Sequence, residues 1–316
     1  MAHEHVIILG SGPAGLTAAL YAARANLNPL VLDGDLAGGQ LMITTDVENY
    51  PGFEHGVMGP ELMETMRRQV ERFGTRFAME KVTSCDLSKR PFTLNTENGE
   101  TLTCDALIIA TGASAKYLGI PNEERLQKSG GGVSACATCD GFFYKGVELI
   151  VVGGGDTAVE EATFLTKFAS KVYLLVRSGK LRASKAMQAR AESNPKLEIV
   201  WNTSPLEVLG DQRITGVRCR NNLTGEVYDM PIGGMFLGIG HDPNTGPFTD
   251  WIDHDENGYL TTIPGRTATN VPGVFAAGDV QDHYYRQAVS AAGSGCMAAI
   301  ECERWLEEQK SSGEHG

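Results

Sequence analysis

No stretch of the chain approaches the run of about 18 apolar residues that a membrane-crossing helix needs, so a helical membrane protein is excluded. No secretory leader is expected either. Met1-Ala2-His3-Glu4-His5 runs straight into Val6-Ile7-Ile8-Leu9, which is too short for a signal core and is followed by glycines instead of a cleavage site. The expected location is the cytoplasm. Basic residues are in the minority, 27 Lys and Arg against 39 Asp and Glu, for a formal net charge of −12. An acidic surface repels a phosphate backbone, which argues against nucleic acid as a partner. Cysteine is sparse and odd in number, seven in all, and Cys85, Cys104, Cys219, Cys296 and Cys302 stand singly. In a reducing compartment each of these five reads as a small buried hydrophobe. A structural zinc site takes about four ligands, and no second Cys/His pair has suitable spacing, so no metal is expected. His3 and His5 read as solvated residues.

What remains is an α/β protein rich in glycine, with 38 in 316 residues, a length that suggests about two domains. Short apolar runs alternate with helical segments. Val6–Leu9 is a strand, Ala14–Asn26 an alanine-rich helix, Leu30–Leu32 a strand and Glu61–Phe73 an amphipathic helix. Residues 77–84, 91–96 and 101–104 have β-type composition, and Ala106–Ala110 is a buried strand ending in Thr111-Gly112. The same plan restarts at Glu148–Val152, continues through a helix over 157–169, and reaches a strand at Val172–Val176. Residues 213–230 read as a polar hairpin region, Met235–Ile239 as a strand, His241-Asp242-Pro243-Asn244 as a turn at a domain junction, and 274–279 as a last buried strand. An alanine-rich helix over 288–308 precedes a frayed tail from Lys310.

Gly10-Ser11-Gly12-Pro13-Ala14-Gly15 follows a strand and opens a helix, the context a dinucleotide fingerprint requires. Gly10 permits the tight turn, Gly12 the approach of a pyrophosphate, and Gly15 the close packing of helix on strand. Asp33 ends the next strand, 18 residues beyond Gly15, where a carboxylate would bond a ribose hydroxyl. FAD is favoured over NAD here by companion segments. Gly38-Gly39-Gln40 offers backbone donors, Asn49 lies in Val47-Glu48-Asn49-Tyr50-Pro51-Gly52, and the run Thr269 to Gly278-Asp279 resembles the second FAD signature of flavoprotein disulfide reductases. If the ends Thr111-Gly112 and Gly278-Asp279 serve one nucleotide, the second βαβ unit is an insertion joined by two crossing segments near 115–118 and 241–247.

Gly153-Gly154-Gly155-Asp156-Thr157-Ala158 repeats the fingerprint, with alanine at the third small position. No acid ends the following strand. Arg177, Lys180, Arg182 and Lys185 cluster there instead, as a 2′-phosphate would require, so NADP is expected over NAD; the bland alternative is a solvated basic loop.

Between the fingerprints lies Cys136-Ala137-Thr138-Cys139-Asp140. Two cysteines at this spacing fit one turn of helix near its N-terminus, where amide dipoles stabilise a thiolate. One thiol can attack a partner disulfide while the other resolves the mixed disulfide, and Asp140 can pass a proton to a departing sulfur. Phe142-Phe143-Tyr144 are either core or an apolar docking surface.

Along essentially its whole length the chain resembles the low-molecular-weight thioredoxin reductase family of class II pyridine nucleotide-disulfide oxidoreductases. The likeness is carried by Gly10 to Gly15, Gly38 to Leu41, Val47 to Gly52, the Cys-Ala-Thr-Cys-Asp run, Gly153 to Ala158, and Gly278-Asp279-Val280 through Arg286-Gln287-Ala288. It implies two Rossmann-like (three-layer ββα/βαβ) domains. The FAD domain is residues 1–116 with 247–316, and the inserted NADPH domain with the redox cysteines is 117–246. It implies a homodimer in which NADPH reduces FAD, FAD reduces the Cys136–Cys139 disulfide, and the dithiol reduces thioredoxin. By the same likeness Cys139 lies against the flavin, Cys136 attacks thioredoxin, Asp140 is the acid/base, and the NADPH domain swivels on its two connections. The FAD contacts are Gly10, Gly12, Pro13, Ala14, Gly15, Asp33, Gly38, Gly39, Gln40, Leu41, Asn49, Thr111, Gly112, Gly278, Asp279, Arg286, Gln287 and Ala288. Those for NADPH are Gly153, Gly155, Asp156, Thr157, Ala158, Arg177 and Arg182. The family's frequent run of three arginines retains two here, Arg177 and Arg182.

The alternatives are a related flavin disulfide reductase or dithiol oxidase with another acceptor, a peroxiredoxin system or oxygen; a peroxide-linked relative normally has an extra N-terminal redox module, and none fits before residue 6. A ferredoxin- or quinone-type electron-transfer flavoprotein would have no need of the two thiols. A nucleotide-binding redox sensor would be reduced once and stop.

Overall fold

The structure is a computed structural model describing residues 2–313. In chain order it runs β1 (Ala2–Leu9), α1 (Pro13–Arg24), β2 (Leu30–Leu32), a 3-10 turn at Gly39–Ile43, the small hairpin β3 (Asp46–Val47) and β4 (Val57–Met58), and α2 (Gly59–Glu71). Strands β5 (Arg76–Ala78), β6 (Val82–Asp86), β7 (Phe92–Thr96) and β8 (Thr101–Ile109) follow, and β9 (Ala113–Ala115) leads away. Then come α3 (Glu123–Lys128), β10 (Val133–Ser134), α4 (Ala137–Asp140), β11 (Glu148–Val152), α5 (Asp156–Leu165), β12 (Lys171–Val176), α6 (Lys185–Glu192) and β13 (Leu197–Trp201). Strands β14 (Thr203–Leu209), β15 (Gly216–Asn221), β16 (Val227–Pro231), β17 (Gly234–Leu237) and β18 (His241–Pro243) precede β19 (Val274–Ala276) and α7 (Ala288–Gly313).

The chain divides into two compact units, Met1–Ser114 with Asp242–Gly316, and Ala115–His241. In the first, β5, β2, β1, β8 and β19 lie parallel, and β7 and β6 continue the sheet antiparallel from β8. Registers Ala78↔Leu32, Leu32↔Leu9, Leu9↔Ile109 and Ile109↔Ala276 bring the carboxyl ends of all five parallel strands level. Ligands of open α/β sheets bind beyond that edge. One face of the sheet carries α1, α2 and α7, through Leu16, Met63 and Ala298; the other carries Phe92, Leu94, Phe248 and Ile252. Both faces are covered, which is why Val6–Leu9 and Ala106–Ile109 are unbroken apolar runs without alternation.

The second unit repeats the plan, with parallel strands in the order β10-β17-β11-β12-β13 and a separate antiparallel sheet β14-β15-β16. Helical residues Ala137, Val159, Leu165 and Ala191 pack on one face, and Val208, Val217 and Cys219 on the other. The topological duplication expected from the sequence is therefore present at the level of layers.

Several local expectations are corrected. The runs 101–104 and 106–110 are one strand, because β8 pairs with β1 on both sides of Asp105. The expected turn at 241–244 contains strand β18, which pairs with β9. The helix of 288–308 continues to Gly313, with the Ser311 hydroxyl donating to the Glu307 carbonyl, so Lys310–Gly313 are helical; the rest of the expected tail lies outside the described residues. His3 and His5 are not simply solvated, since alternate residues of a strand share a face and both meet Asp105, at 3.4 and 2.8 Å. Among the lone cysteines, Cys104, Cys219 and Cys302 are buried as expected, but Cys85 and Cys296 are only half-buried.

The two fingerprint turns use small residues in complementary positions. In the first unit Gly15 sits against Gly10 and the side chain of Ala110, which follows β8. In the second, Ala158 takes the place of Gly15, and Gly238 follows β17 where Ala110 follows β8. A Cβ on Gly238 would lie 2.7 Å from Ala158 Cα and 2.9 Å from its Cβ. Gly238→Ala is accordingly expected to cost about 1–3 kcal/mol in overpacking, read as a lower denaturation midpoint with an unchanged slope.

Candidate functional site

Three glycine turns meet at the start of α1. Gly12 is its N-cap, Pro13 its first residue, and no side chain caps the helix, so its amide end is open to an anion. Gly38, in the left-handed region, donates its N–H to the Ser11 hydroxyl at 2.9 Å, and a Cβ on Gly39 would stand 3.2 Å from Gly12 Cα. From the other side comes Gly278, where a Cβ would lie 2.8 Å from that of Ala14; its N–H donates to the Ser294 hydroxyl. At Gly12 itself an added Cβ would meet nothing within 4 Å. Residues far apart in sequence thus line one glycine-walled cradle at a helix N-terminus, beyond the carboxyl ends of the parallel strands. This fits the pyrophosphate of a dinucleotide.

Around the cradle, Asp279 is enclosed, and burial pushes its carboxyl up to about 7, with Asp282 adding and Arg286 opposing. Asn49 donates to Gln287 Oε1 at 3.2 Å, joining two more expected contacts. Arg286 has φ +48° and donates its N–H to Asp282; Ala288 begins α7. Gln40 is exposed and Leu41 half-buried in the 3-10 turn. Thr111 is tied down, its hydroxyl donating to the Asn244 carbonyl while the Asn244 amide donates to the Thr111 carbonyl; Gly112 accepts from Asn244 N–H.

Asp33 stands at the end of β2, where the ribose contact is expected, and carries an ion pair of its own. Its side chain is 1% exposed, and both oxygens are taken by the two forks of Arg67, at 2.9 and 3.2 Å. That guanidinium also stacks 3.9 Å from the centre of Phe77 and reaches Glu71. The acid at the end of β2 is half of a buried ion pair, and only its partner, 31% exposed, has an outward side. Arg67 lies a whole helix away in sequence, and the spacing rule that marks the acid says nothing of it.

The second turn is built alike. Gly155 caps α5 with no side-chain cap and with nothing within 4 Å of an added Cβ, as at Gly12. Asp156 accepts from Ser184 N–H at 2.8 Å, and the Gly154 carbonyl accepts from Arg182 N–H and Ala183 N–H at 2.7 and 3.1 Å. These bonds strap the loop 177–184 onto the fingerprint. Leu181 and Ala183 are buried beneath it, while Arg177, Lys180, Arg182 and Lys185 are exposed. Among the described residues neither Arg177 nor Arg182 has an acidic partner, so the two guanidiniums remain available to an anion beside the glycine turn. Thr157 and Ala158 lie in the first turn of α5. The expected loop after Lys180 includes helix α6, capped by the Ser184 hydroxyl.

Cys136 and Cys139 form a disulfide with Cα atoms 5.3 Å apart. Cys136 is the N-cap of α4, directly beyond β10, and Ser134↔Phe236 places β10 at the carboxyl edge of the sheet that carries the second fingerprint. Asp140 closes the helical turn by donating its N–H to the Cys136 carbonyl at 3.2 Å. Burial raises its carboxyl above the ordinary range, against a hydrogen bond from Ser134 that lowers it. Phe142 and Phe143 are 54% and 45% exposed, which removes the core alternative for both, while Tyr144 packs edge-on against buried Phe236. Elsewhere burial pushes the Cys85, Cys219 and Cys302 thiols up to about 12, so they stay protonated and unreactive. No helix of the described residues is long and apolar enough to cross a membrane.

The family model for pyridine nucleotide-disulphide oxidoreductases matches residues 4–295. The thioredoxin reductase of Coxiella burnetii is 54% identical over 313 residues, covering 96% of this chain and 97% of that one. Thioredoxin reductase 1 of Saccharomyces cerevisiae is 50% identical, covering 97% and 99%. Among solved structures, the thioredoxin reductase from Giardia duodenalis superposes with a TM-score of 0.92 at 44% identity, covering 97% of this chain and all of that one.

Proposed function

The chain belongs to the pyridine nucleotide-disulphide oxidoreductase family, and within it we propose that it is an NADPH-dependent thioredoxin-disulfide reductase. The observation that carries this is the disulfide at the N-terminus of α4, on the same sheet edge as a glycine turn flanked by free arginines. FAD and NADPH together supply the two-electron chemistry that returns Cys136–Cys139 to the dithiol. Gly10 to Gly15, Gly38, Gly39 and Gly278-Asp279 would hold the FAD pyrophosphate and its neighbours, with Asn49 and Gln287 alongside. Gly153 to Ala158 would hold NADPH, with Arg177 and Arg182 on its 2′-phosphate. On this basis Met1–Ser114 with Asp242–Gly316 is the FAD unit, Ala115–His241 the NADPH unit, and the two connections the hinges.

In the reduced chain the Cys136 thiolate, stabilised at the helix N-cap, attacks one sulfur of the thioredoxin disulfide. A Cys136–thioredoxin bond forms as the partner's S–S bond breaks, and the sulfur released takes the Asp140 proton. Cys139 then attacks Cys136, its proton passing through Asp140 to the second partner sulfur as the Cys136–Cys139 bond closes. Two electrons and two protons leave with thioredoxin, and the negative charge that began on Cys136 ends on Asp140. A carboxyl raised by burial suits this, because burial favours the protonated form that has a proton to give.

Phe142 and Phe143, edge to face with one another and Phe142 against Phe168, form the docking surface for the partner. The family likeness supports a homodimer with one FAD per chain. The five unpaired cysteines support a reducing compartment, the cytoplasm. The test is NADPH oxidation followed with and without thioredoxin. Sustained turnover only with thioredoxin is expected; a single stoichiometric reduction, or turnover with oxygen alone, overturns the assignment.

A further inference from the structure

We propose that the aromatic patch beside the dithiol is flanked by two partner-reading lysines, Lys145 and Lys167, which fit it to a protein disulfide bordered by carboxylates. The inference rests on the disulfide-reductase reading and names the chemistry of its partner.

The patch grows directly out of the redox turn. Gly141 follows Asp140, and a Cβ there would stand 3.0 Å from the Leu165 side chain and 3.4 Å from the rings of Phe164 and Phe168. The end of α4 therefore lies against the last turn of α5 and the residues after it. Phe142 meets Phe168 edge to face at 6.1 Å, and Phe168 meets Phe164 in the same manner at 5.6 Å. With Phe143 against Phe142, four rings form one surface that passes from half-buried Phe164 and Phe168 to exposed Phe142 and Phe143.

An ammonium stands on each side of it. Lys145 Nζ is 5.6 Å from the centre of Phe142, and Lys167 Nζ is 4.6 Å from that of Phe164. Each stem can lie along a ring while its charge stays in water. Two backbone bonds hold the segments that bear them together. Gly146 N–H donates to the Phe168 carbonyl at 2.9 Å, and Ser170 N–H to the Val147 carbonyl at 3.0 Å. Both lysines are exposed, and among the described residues no ion pair joins either to an acid. Lys81, Lys128 and Lys171, by contrast, each meet a carboxylate of their own chain. The charge of the two units points the same way. Ala115–His241 holds 15 Lys and Arg against 13 Asp and Glu, and the rest of the chain 12 against 26. An acidic partner is thus repelled by most of this protein and accepted at the unit that carries the dithiol. Rings supply the apolar contact there, and the unpaired ammonium groups at the rim select the sign of charge around the incoming disulfide.

The test uses the FAD-loaded, full-length protein, reduced with dithiothreitol and freed of it without air. Its probes are two synthetic peptides closed by a Cys-Gly-Gly-Cys disulfide, one flanked by glutamates and the other by lysines. Thiol–disulfide exchange with each is timed at low and at high salt. At low salt the glutamate peptide is expected to react about tenfold faster, and high salt to erase the difference. Lys145→Gln with Lys167→Gln is expected to remove most of that preference, with an unchanged Tm. Lys145→Arg with Lys167→Arg, which keeps both charges, is expected to preserve it. No preference in the unsubstituted protein, or the opposite one, overturns the proposal. So does a glutamine pair that slows both peptides equally, since the lysines would then only support the surface. Turnover of thioredoxin with NADPH is measured alongside. Its absence with peptides still discriminated removes the functional assignment and leaves the lysines their role; its presence with peptides undiscriminated removes that role alone.

Discussion

Cys139→Ser is expected to retain FAD and lose thioredoxin turnover by about a thousandfold or more, the scale on which removing a covalent catalytic group acts. The two sulfurs span one turn of α4, with Cα atoms 5.3 Å apart, and serine there preserves the packing while removing the second redox atom. Cys136 alone can form a mixed disulfide but has nothing to resolve it. Four of the five remaining thiols cannot substitute, since burial keeps Cys85, Cys104, Cys219 and Cys302 protonated. Anaerobic titration supplies the second measure, because the variant should accept one electron pair fewer from NADPH than the unsubstituted protein. Normal turnover, or an unchanged titration endpoint, would contradict the sulfur route.

The second large effect concerns the basic loop. Arg177→Ala with Arg182→Ala is expected to raise the KM for NADPH about 100-fold and leave that for NADH within about threefold. Two charge-assisted hydrogen bonds at about 1.5 kcal/mol each give that ratio. The selectivity follows from position. The Gly154 carbonyl and the Asp156 carboxylate hold the loop by its backbone N–H groups, and Leu181 and Ala183 anchor it from below, so truncating the exposed guanidiniums leaves the loop in place. Steady-state kinetics with both nucleotides check this; an equal rise for NADH would remove the 2′-phosphate assignment.

The parts of the site legible in the sequence are those whose chemistry is local. Gly10 to Gly15, Gly153 to Ala158 and Cys136 to Asp140 each have their meaning within six residues, and each stands in the structure at a strand-to-helix turn. What was not legible depends on contacts between distant positions. Asp33 has the right place for a ribose partner, and nothing in its spacing foretells the Arg67 that pairs with it from α2. Alanine at 158 reads as a tolerated substitution, and only the packing shows that Gly238 makes the room. The strand at His241–Pro243 was hidden by turn-forming residues, since its pairing with Ala113–Ala115 is a tertiary matter.

The ribbon of Ala113–Ala115 with His241–Pro243 bears on how this molecule can be taken apart. Neighbouring strands run about 5 Å from one another, so the chain departs for the Ala115–His241 unit and returns from it at almost the same spot. A cassette whose two ends are neighbours can be cut out and the wound sutured with a few glycines, leaving the remaining sheet order undisturbed. Evolution could have spliced it in by the same economical surgery, without redrawing the host.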